Sequence, residues 1–280
     1  MPTDAMLAEV YATYGYDQED LTSVPPFIFG ILEGVVGTFE RHRGSRARLL
    51  DVGFGAGALL KVARDQGWST FGIEASSAAV EQGRRYELGE LTHGNFLEVA
   101  WADGSFDVIV MTELIEHLVE PGPFLRQAAR LLRPGGLLYM TTPHGRGISG
   151  RLLGASWSVL RPPEHLQLYS IASMKEVLRR AGFSDARIYA QGVLPHEILA
   201  YLRRRLPLLR RGDSLGAPAA DVVADASAAA EANHPDRVQK TAELNATITG
   251  SQAGRLAKSV ANGVLRTSRL GDSLRVYAER

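Results

Sequence analysis

Three groups of residues in this chain have the types and spacing that chemistry needs. The first is Leu49-Leu50-Asp51-Val52-Gly53-Phe54-Gly55-Ala56-Gly57, with Glu74 following the next apolar run. An apolar strand that enters a glycine loop and then a helix allows close backbone approach and offers unpaired N–H donors. An acidic side chain roughly twenty positions later suits ribose hydroxyls, so the group reads as a site for a nucleoside-bearing cofactor. The second group is Glu113-Leu114-Ile115-Glu116-His117, whose imidazole and carboxylates can serve as a general base or as ligands for a hard metal ion. The third is His144, after Thr142-Pro143, a further candidate for catalysis or substrate contact.

These residues need elements to position them. Short apolar runs at 48–53, 69–74, 106–112 and 137–142 have the length and composition of strands buried on both faces, with helical patterns between them at about 57–66, 76–86 and 122–132. This alternation predicts an α/β fold, a mostly parallel sheet with helices on both faces and right-handed crossovers. Such sheets bind ligands beyond the carboxyl ends of their strands, where all three groups fall. The loop by itself fits two cofactors. Read as G-x-G-x-x-[GA], Gly53, Gly55 and Ala58 match a dinucleotide fingerprint; read as acidic-x-G-x-G-x-G, the pattern is Asp51, Gly53, Gly55 and Gly57.

The second pattern resembles the first motif of the class I S-adenosylmethionine-dependent methyltransferases. Phe106-Asp107-Val108-Ile109-Val110-Met111-Thr112-Glu113 resembles that family's fourth strand, and Leu131-Leu132-Arg133-Pro134-Gly135-Gly136-Leu137-Leu138 its helix, sharp turn and fifth strand. Gly94-Asn95-Phe96 falls where the family places an adenine contact, with Asn95 where Asp is more usual. Four motifs in order are more specific than one glycine loop. The competing NAD-dependent oxidoreductase reading needs a Tyr-x-x-x-Lys pair or its equivalent, and none follows the fifth strand.

The resemblance implies a Rossmann-like sheet of seven strands with the seventh antiparallel. The sixth would run through Ala186-Arg187-Ile188-Tyr189-Ala190 and the seventh through Leu274-Arg275-Val276-Tyr277-Ala278. It implies S-adenosyl-L-methionine as cofactor. Asp51, Gly53, Gly55 and Gly57 would shape the loop beneath its methionine part, Glu74 would accept both ribose hydroxyls, Asn95 and Phe96 would flank the adenine, and Glu113 would wall the pocket. The E-x-x-E-H string resembles the ubiquinone-biosynthesis O-methyltransferases, in which such residues are associated with a divalent metal. By that resemblance Glu113, Glu116 and His117 could hold Mg²⁺; the simpler, favoured reading has no metal and makes His117 the general base. A purely local reading has Glu116 and His117 capping the next helix.

The same resemblance divides the chain into an N-terminal helical cover (1–44), a methyltransferase core (45–193 with 271–280) carrying a lid-like insertion at 144–169, and a helical accessory insertion (194–270) that caps the site or makes an oligomer contact. Within Glu164-His165-Leu166-Gln167-Leu168-Tyr169-Ser170, His165 reads as a turn organiser and Ser170 as a helix cap. With 31 basic and 31 acidic residues, net charge gives no reason to expect nucleic acid as a partner. The absence of cysteine excludes thiolate catalysis, zinc–thiolate sites and disulfides. No apolar run spans a bilayer and Met1-Pro2-Thr3-Asp4-Ala5 does not begin a secretory leader, so a cytoplasmic protein is expected, with a homodimer left open. The expected reaction is methyl transfer to a small-molecule or glycan acceptor, on oxygen first and on nitrogen as the nearest alternative.

Overall fold

The computed structural model describes residues 20–45, 47–160, 162–193 and 267–280, with isolated positions at 197–198, 201–202, 205 and 263. The first half of the expected N-terminal cover and nearly all of the 194–270 insertion therefore lie outside the described residues. Chain order is α1 (Pro26–Gly37), β1 (Arg48–Val52), α2 (Ala58–Asp65), β2 (Ser69–Glu74), α3 (Ser77–Arg85), β3 (Glu90–His93), β4 (Phe106–Thr112), α4 (Pro121–Leu131), β5 (Leu132–Pro143), α5 (Ile148–Leu153), α6 (Ile171–Arg180), β6 (Asp185–Gln191) and β7 (Ser273–Glu279).

The seven strands form one sheet in the order β3-β2-β1-β4-β5-β7-β6. Strands β1 to β5 pair in parallel, and β7 runs antiparallel between β5 and β6. The order reverses between β1 and β4, so their carboxyl ends open a crevice at the switch point. Each face has its own apolar layer. Val36, Phe39, Leu49, Leu60, Val80, Val108, Val110 and Tyr139 pack on the side of α1 to α3. Leu50, Ile109, Met111, Leu125, Leu138, Met174, Leu178 and Val276 pack on the side of α4 and α6. β4 is central, and Phe106 to Met111 are all buried, which is why it reads as an unbroken apolar run and not an alternating one. At about 1.5–3 kcal/mol for each large apolar side chain removed from water, this strand anchors the sheet.

Polar ties set the strand ends. Asp107, buried on β4, accepts from the Arg48 backbone N–H (2.8 Å) and from Arg133 Nε. Arg133 Nη2 in turn donates to the His42 carbonyl (2.7 Å), fastening the chain after α1 to the start of β5. β5 begins earlier than its apolar run suggests, because Leu132 already pairs with Phe106; the ladder then slips before Val108 pairs with Leu137. The turn expected at Gly135, which has φ +71°, is thus absorbed as an irregularity within the strand.

The 144–169 segment is held at both ends and in its middle. His144 and Tyr169 form a parallel bridge, and Gly145 N–H donates to the Tyr169 carbonyl (2.9 Å). Trp157 is 2% exposed. Beyond it, Ser170 caps α6 in a reciprocal box: its hydroxyl accepts from Ser173 N–H (3.1 Å), while Ser173 Oγ accepts from Ser170 N–H (2.8 Å). Ser170→Ala removes one half of that exchange and should cost about 1 kcal/mol, lowering the thermal midpoint by about 2–4 °C, as differential scanning calorimetry would measure.

Candidate active site

The glycine loop leaves β1 at a buried acid. Asp51 is 2% exposed and its Oδ1 has no hydrogen-bond partner. Burial, with the nearby Glu74 charge adding to it, pushes its carboxyl up to about 8. The loop then turns through left-handed positions that only glycine adopts without strain. Gly57 (φ +75°) caps α2, and a Cβ there would lie 2.2 Å from Leu88 Cδ1. Gly55 (φ +50°) has open space where its Cβ would stand, so the loop is bare on that side.

Glu74 closes the loop from the end of β2. Its Oε2 accepts from Gly55 N–H (3.1 Å), and its Oε1 from the N–H groups of Ala75 (2.7 Å) and Ser76 (3.1 Å). Its carbonyl accepts from Gly94 N–H (3.0 Å), which brings the turn after β3 alongside. In that turn Asn95 is exposed; its Oδ1 accepts from Leu97 N–H (3.0 Å) and its Nδ2 donates to Glu98 Oε1 (3.3 Å). The Phe96 ring is committed to the core, 3% exposed and 5.7 Å between centroids from Phe124. What this turn can offer a ligand is backbone and the Asn95 side chain.

The exit of β4 packs onto the same loop. Glu113 is exposed, has φ +48°, and donates its N–H to the Thr141 carbonyl (3.0 Å). Leu114 Cδ1 stands 3.3 Å from where a Gly53 Cβ would be, so this turn covers the start of the glycine loop. Glu116 is completely buried; its Oε2 accepts from Thr142 Oγ1 (2.9 Å), and its Oε1 has no partner. Burial first, and the neighbouring Glu113 second, drive its carboxyl far above the usual range. The Glu116 carbonyl accepts from Leu166 and Gln167 N–H (2.9 and 3.1 Å), which binds the 144–169 segment to this turn.

His117 is half-buried, with Nδ1 3.0 Å from the Glu164 carbonyl. A carbonyl only accepts, so Nδ1 carries the proton and Nε2 is the basic nitrogen. Burial, then the adjacent His165, lower its pKa, which favours the neutral ring. The His165 ring meets it edge-on with centroids 4.8 Å apart, its own Nδ1 donating to the Val159 carbonyl (2.6 Å). Glu116, His117 and His165 each bring one potential ligand atom, all within 4.8 Å of one another. One carboxylate and two imidazoles suit a divalent transition ion better than Mg²⁺.

His144, directly after β5, is engaged by other partners. It is 2% exposed, its Nδ1 donates to the Gly271 carbonyl (2.8 Å), and its N–H donates to the Asp272 carbonyl (2.7 Å). Asp272 also accepts from Ser149 N–H (2.8 Å) and Ser149 Oγ. His144 thus belongs to a buried cluster that ties the exit of β5 to the entry of β7.

The structure gathers Asp51, Gly53, Gly55, Gly57, Glu74 and the 94–96 turn at one edge, with the turn that begins at Glu113 packed against them. His117 follows in that turn, and His144 stands in its separate buried cluster. Sequence reasoning gave no role at the site to Thr142 and no partner to His165. The one available signal was the Glu-His pair occurring at both 116–117 and 164–165.

Comparison with known proteins agrees with this architecture. A methyltransferase-domain family matches residues 31–187. A probable S-adenosylmethionine-dependent methyltransferase of Mycolicibacterium smegmatis is 32% identical over 144 residues, covering 51% of this chain and 54% of the relative. A ubiquinone biosynthesis O-methyltransferase of Caulobacter vibrioides is 35% identical over 125 residues, covering 40% of this chain and 49% of the relative. The chain therefore spans about half the length of these curated relatives. The crystal structure of a SAM-dependent methyltransferase from Archaeoglobus fulgidus superposes with a TM-score of 0.54 at 12% identity, over 90% of this chain and 94% of the other, which speaks to fold alone. Among the described residues no helix is long and apolar enough to cross a membrane. On its sheet order, the sequence of its motifs and the family match together, the chain belongs to the class I S-adenosylmethionine-dependent methyltransferases.

Proposed function

We propose that this chain transfers a methyl group from S-adenosylmethionine to an oxygen of a small-molecule or glycan acceptor, with His117 as general base. The observation that carries the cofactor part is the buried Asp51 oxygen without a partner, beside a loop left bare at Gly55. An orphaned carboxyl oxygen in that position fits a cationic amino group brought close to the backbone. The Glu74 carboxylate, now on Gly55 N–H, fits a pair of vicinal hydroxyls, and the 94–96 turn fits the adenine through backbone and Asn95. When bound, the cofactor supplies a methyl carbon made electrophilic by its sulfonium.

The chain's own residues have three tasks. Asp51, the glycine loop and Glu74 fix the donor in one orientation, so that alignment costs little at the moment of reaction. Glu113 and Leu114 wall the crevice and exclude water from the gap. His117, its Nδ1 proton held on the Glu164 carbonyl, takes the acceptor's hydroxyl proton at Nε2 as the oxygen attacks. Oxygen is preferred to nitrogen because a hydroxyl needs such a base, and because relatives of this chain are named O-methyltransferases.

A second reading rests on the orphaned Glu116 Oε1 beside His117 and His165. These three residues would hold a divalent ion, which lowers the pKa of an acceptor hydroxyl and so substitutes for a base.

Calorimetric titration with S-adenosylhomocysteine, with NAD⁺ run in parallel, tests the cofactor. Binding of the first alone is expected, and Glu74→Ala should weaken it at least tenfold; binding of NAD⁺ alone would return Gly53, Gly55 and Ala58 to the dinucleotide fingerprint. Acceptors are then screened by transfer of labelled methyl. His117→Gln should lower kcat by about 10²–10⁴ and leave homocysteine-analogue affinity unchanged. Equal loss on treating the native protein with EDTA, together with stoichiometric metal in the purified protein, would favour the ion over the base. The Asp51 carboxyl is raised in the folded state, so the folded chain keeps a proton that the unfolded chain loses near its ordinary pKa of about 3.9. Its contribution to stability therefore falls as pH rises from about 4 to about 8. Asp51→Asn should flatten that part of the profile in denaturant melts while weakening homocysteine-analogue binding.

A further inference from the structure

The helices α1 to α3 cover their face of the sheet only as far as β7. On β6 and β7 the side chains alternate: Ala190, Leu274, Val276 and Ala278 enter the layer beneath α4 and α6, which sends Arg187, Tyr189, Arg275 and Tyr277 to the opposite face. Register sets Arg187 opposite Tyr277 and Tyr189 opposite Arg275, a two-by-two chequer of guanidinium and phenol. Thr38 and Arg41, just after α1, form the facing wall. These six residues line an open cavity of about 430 Å³.

Charge in this groove is unbalanced. Arg187 pairs with Glu279 (2.8 Å). With the Gln191 amide turned so that its oxygen faces the guanidinium, Arg275 donates to that oxygen from Nη2 and Nε (2.9 and 3.0 Å), a neutral partner. Arg41 Nε donates to His42 Nε2 (3.0 Å), whose Nδ1 faces the Gly135 carbonyl (3.4 Å); the same Nε2 stands 3.8 Å from Glu279 Oε1. Among the described residues, the same face carries three guanidinium groups and two carboxylates, Glu279 and, by strand alternation, Asp185 opposite it, and of the three arginines only Arg187 forms an ion pair. Each is already oriented by a fixed partner while keeping further N–H donors, which lowers the entropic cost of gripping a ligand. Beside them, Tyr277 stacks edge-on with Tyr139 (5.2 Å) and contacts Tyr189 (6.1 Å), giving the groove an aromatic floor.

From this geometry we infer that the groove between the end of α1 and the β6–β7 face binds a phosphate-bearing small molecule. Three arginine forks reaching from separate elements match a multiply charged anion with several acceptor oxygens better than a single carboxylate, and the tyrosine rings offer a surface for whatever the phosphate is attached to. None of these residues takes part in the proposed methyl transfer, so the site is a second one.

The probe is inorganic pyrophosphate, titrated calorimetrically into the full chain, first alone and then with saturating S-adenosylhomocysteine. Saturable single-site binding is expected in both cases, weakening as sodium chloride is raised. Arg275→Gln and Arg41→Gln should each reduce affinity at least tenfold, with an unchanged far-UV circular dichroism spectrum. Arg41→Gln lies outside the sheet and keeps the test valid should Arg275→Gln disturb the strands. No saturable binding by the parent chain, affinity unchanged in either correctly folded variant, or loss of binding when the homocysteine analogue is present would each overturn the inference. The last result would place the probe at the glycine loop. The titration without the analogue stands on its own, so failure of the cofactor reading would leave this result interpretable.

Discussion

A carboxyl group kept out of water at the end of β1 is the constraint around which the site is built. Leaving a polar atom buried without a partner costs on the order of 1–3 kcal/mol, and Asp51 holds such an atom at the point where the chain must leave the sheet. The cost is tolerable because the strand behind it is locked between β2 and β4 by parallel pairing and by apolar layers on both faces. The same packing prevents the loop from relaxing to satisfy the oxygen. What remains is a buried carboxyl oxygen without a partner, beside backbone that only glycine permits, and it is this oxygen that is proposed to receive the cofactor's amino group. Glu74 completes the arrangement from the next strand by holding the loop in shape with the carboxylate proposed to receive the ligand.

Parallel topology accounts for the remaining geometry. Because β1, β2, β4 and β5 all run one way, their exits converge on one edge, and residues far apart in sequence meet there. Leu114 lies over Gly53, and the Thr141 carbonyl receives the Glu113 N–H. The 144–169 segment adds a second layer to this edge: its Leu166 and Gln167 N–H groups donate to the Glu116 carbonyl, and its Glu164 carbonyl accepts from His117 Nδ1. The His117 tautomer is thus set by backbone from a separate segment and not by another side chain.

Sequence reading was strongest where burial leaves a simple pattern. β1, β2 and β4 stand within a residue of the apolar runs that predicted them, because strands covered on both faces must be apolar throughout. Ser170 was legible as a cap from local chemistry alone. The start of β5 was not, since Leu132 joins the ladder through a register slip that no spacing rule encodes. Contacts across the fold were also hidden. His117 and His165 lie 48 positions apart, and only the shared Glu-His pair hinted at their meeting. Phe96 stands at the expected position after β3, but its ring is drawn into the core, as the burial of a large apolar side chain favours. His144 is at the expected edge too, yet its ring is held by the strand entering from the far end of the chain.

The position of β7 bears on how this sheet is made. Among the described residues β6 pairs with β7 alone and β5 is completed on its outer side by the same strand, so one seven-residue element, Ser273–Glu279, satisfies two ladders at once. It arrives some eighty residues after β6 ends. On the ribosome, the five parallel strands can therefore assemble while the outer edge of β5 still presents unpaired backbone, and β6 must wait without a ladder. Pairing partners so far apart in sequence is slow relative to local pairing, and an exposed apolar edge is open to pairing with other chains in the interval. The interval between synthesis of residue 191 and residue 279 is the period in which this protein is most open to misassembly.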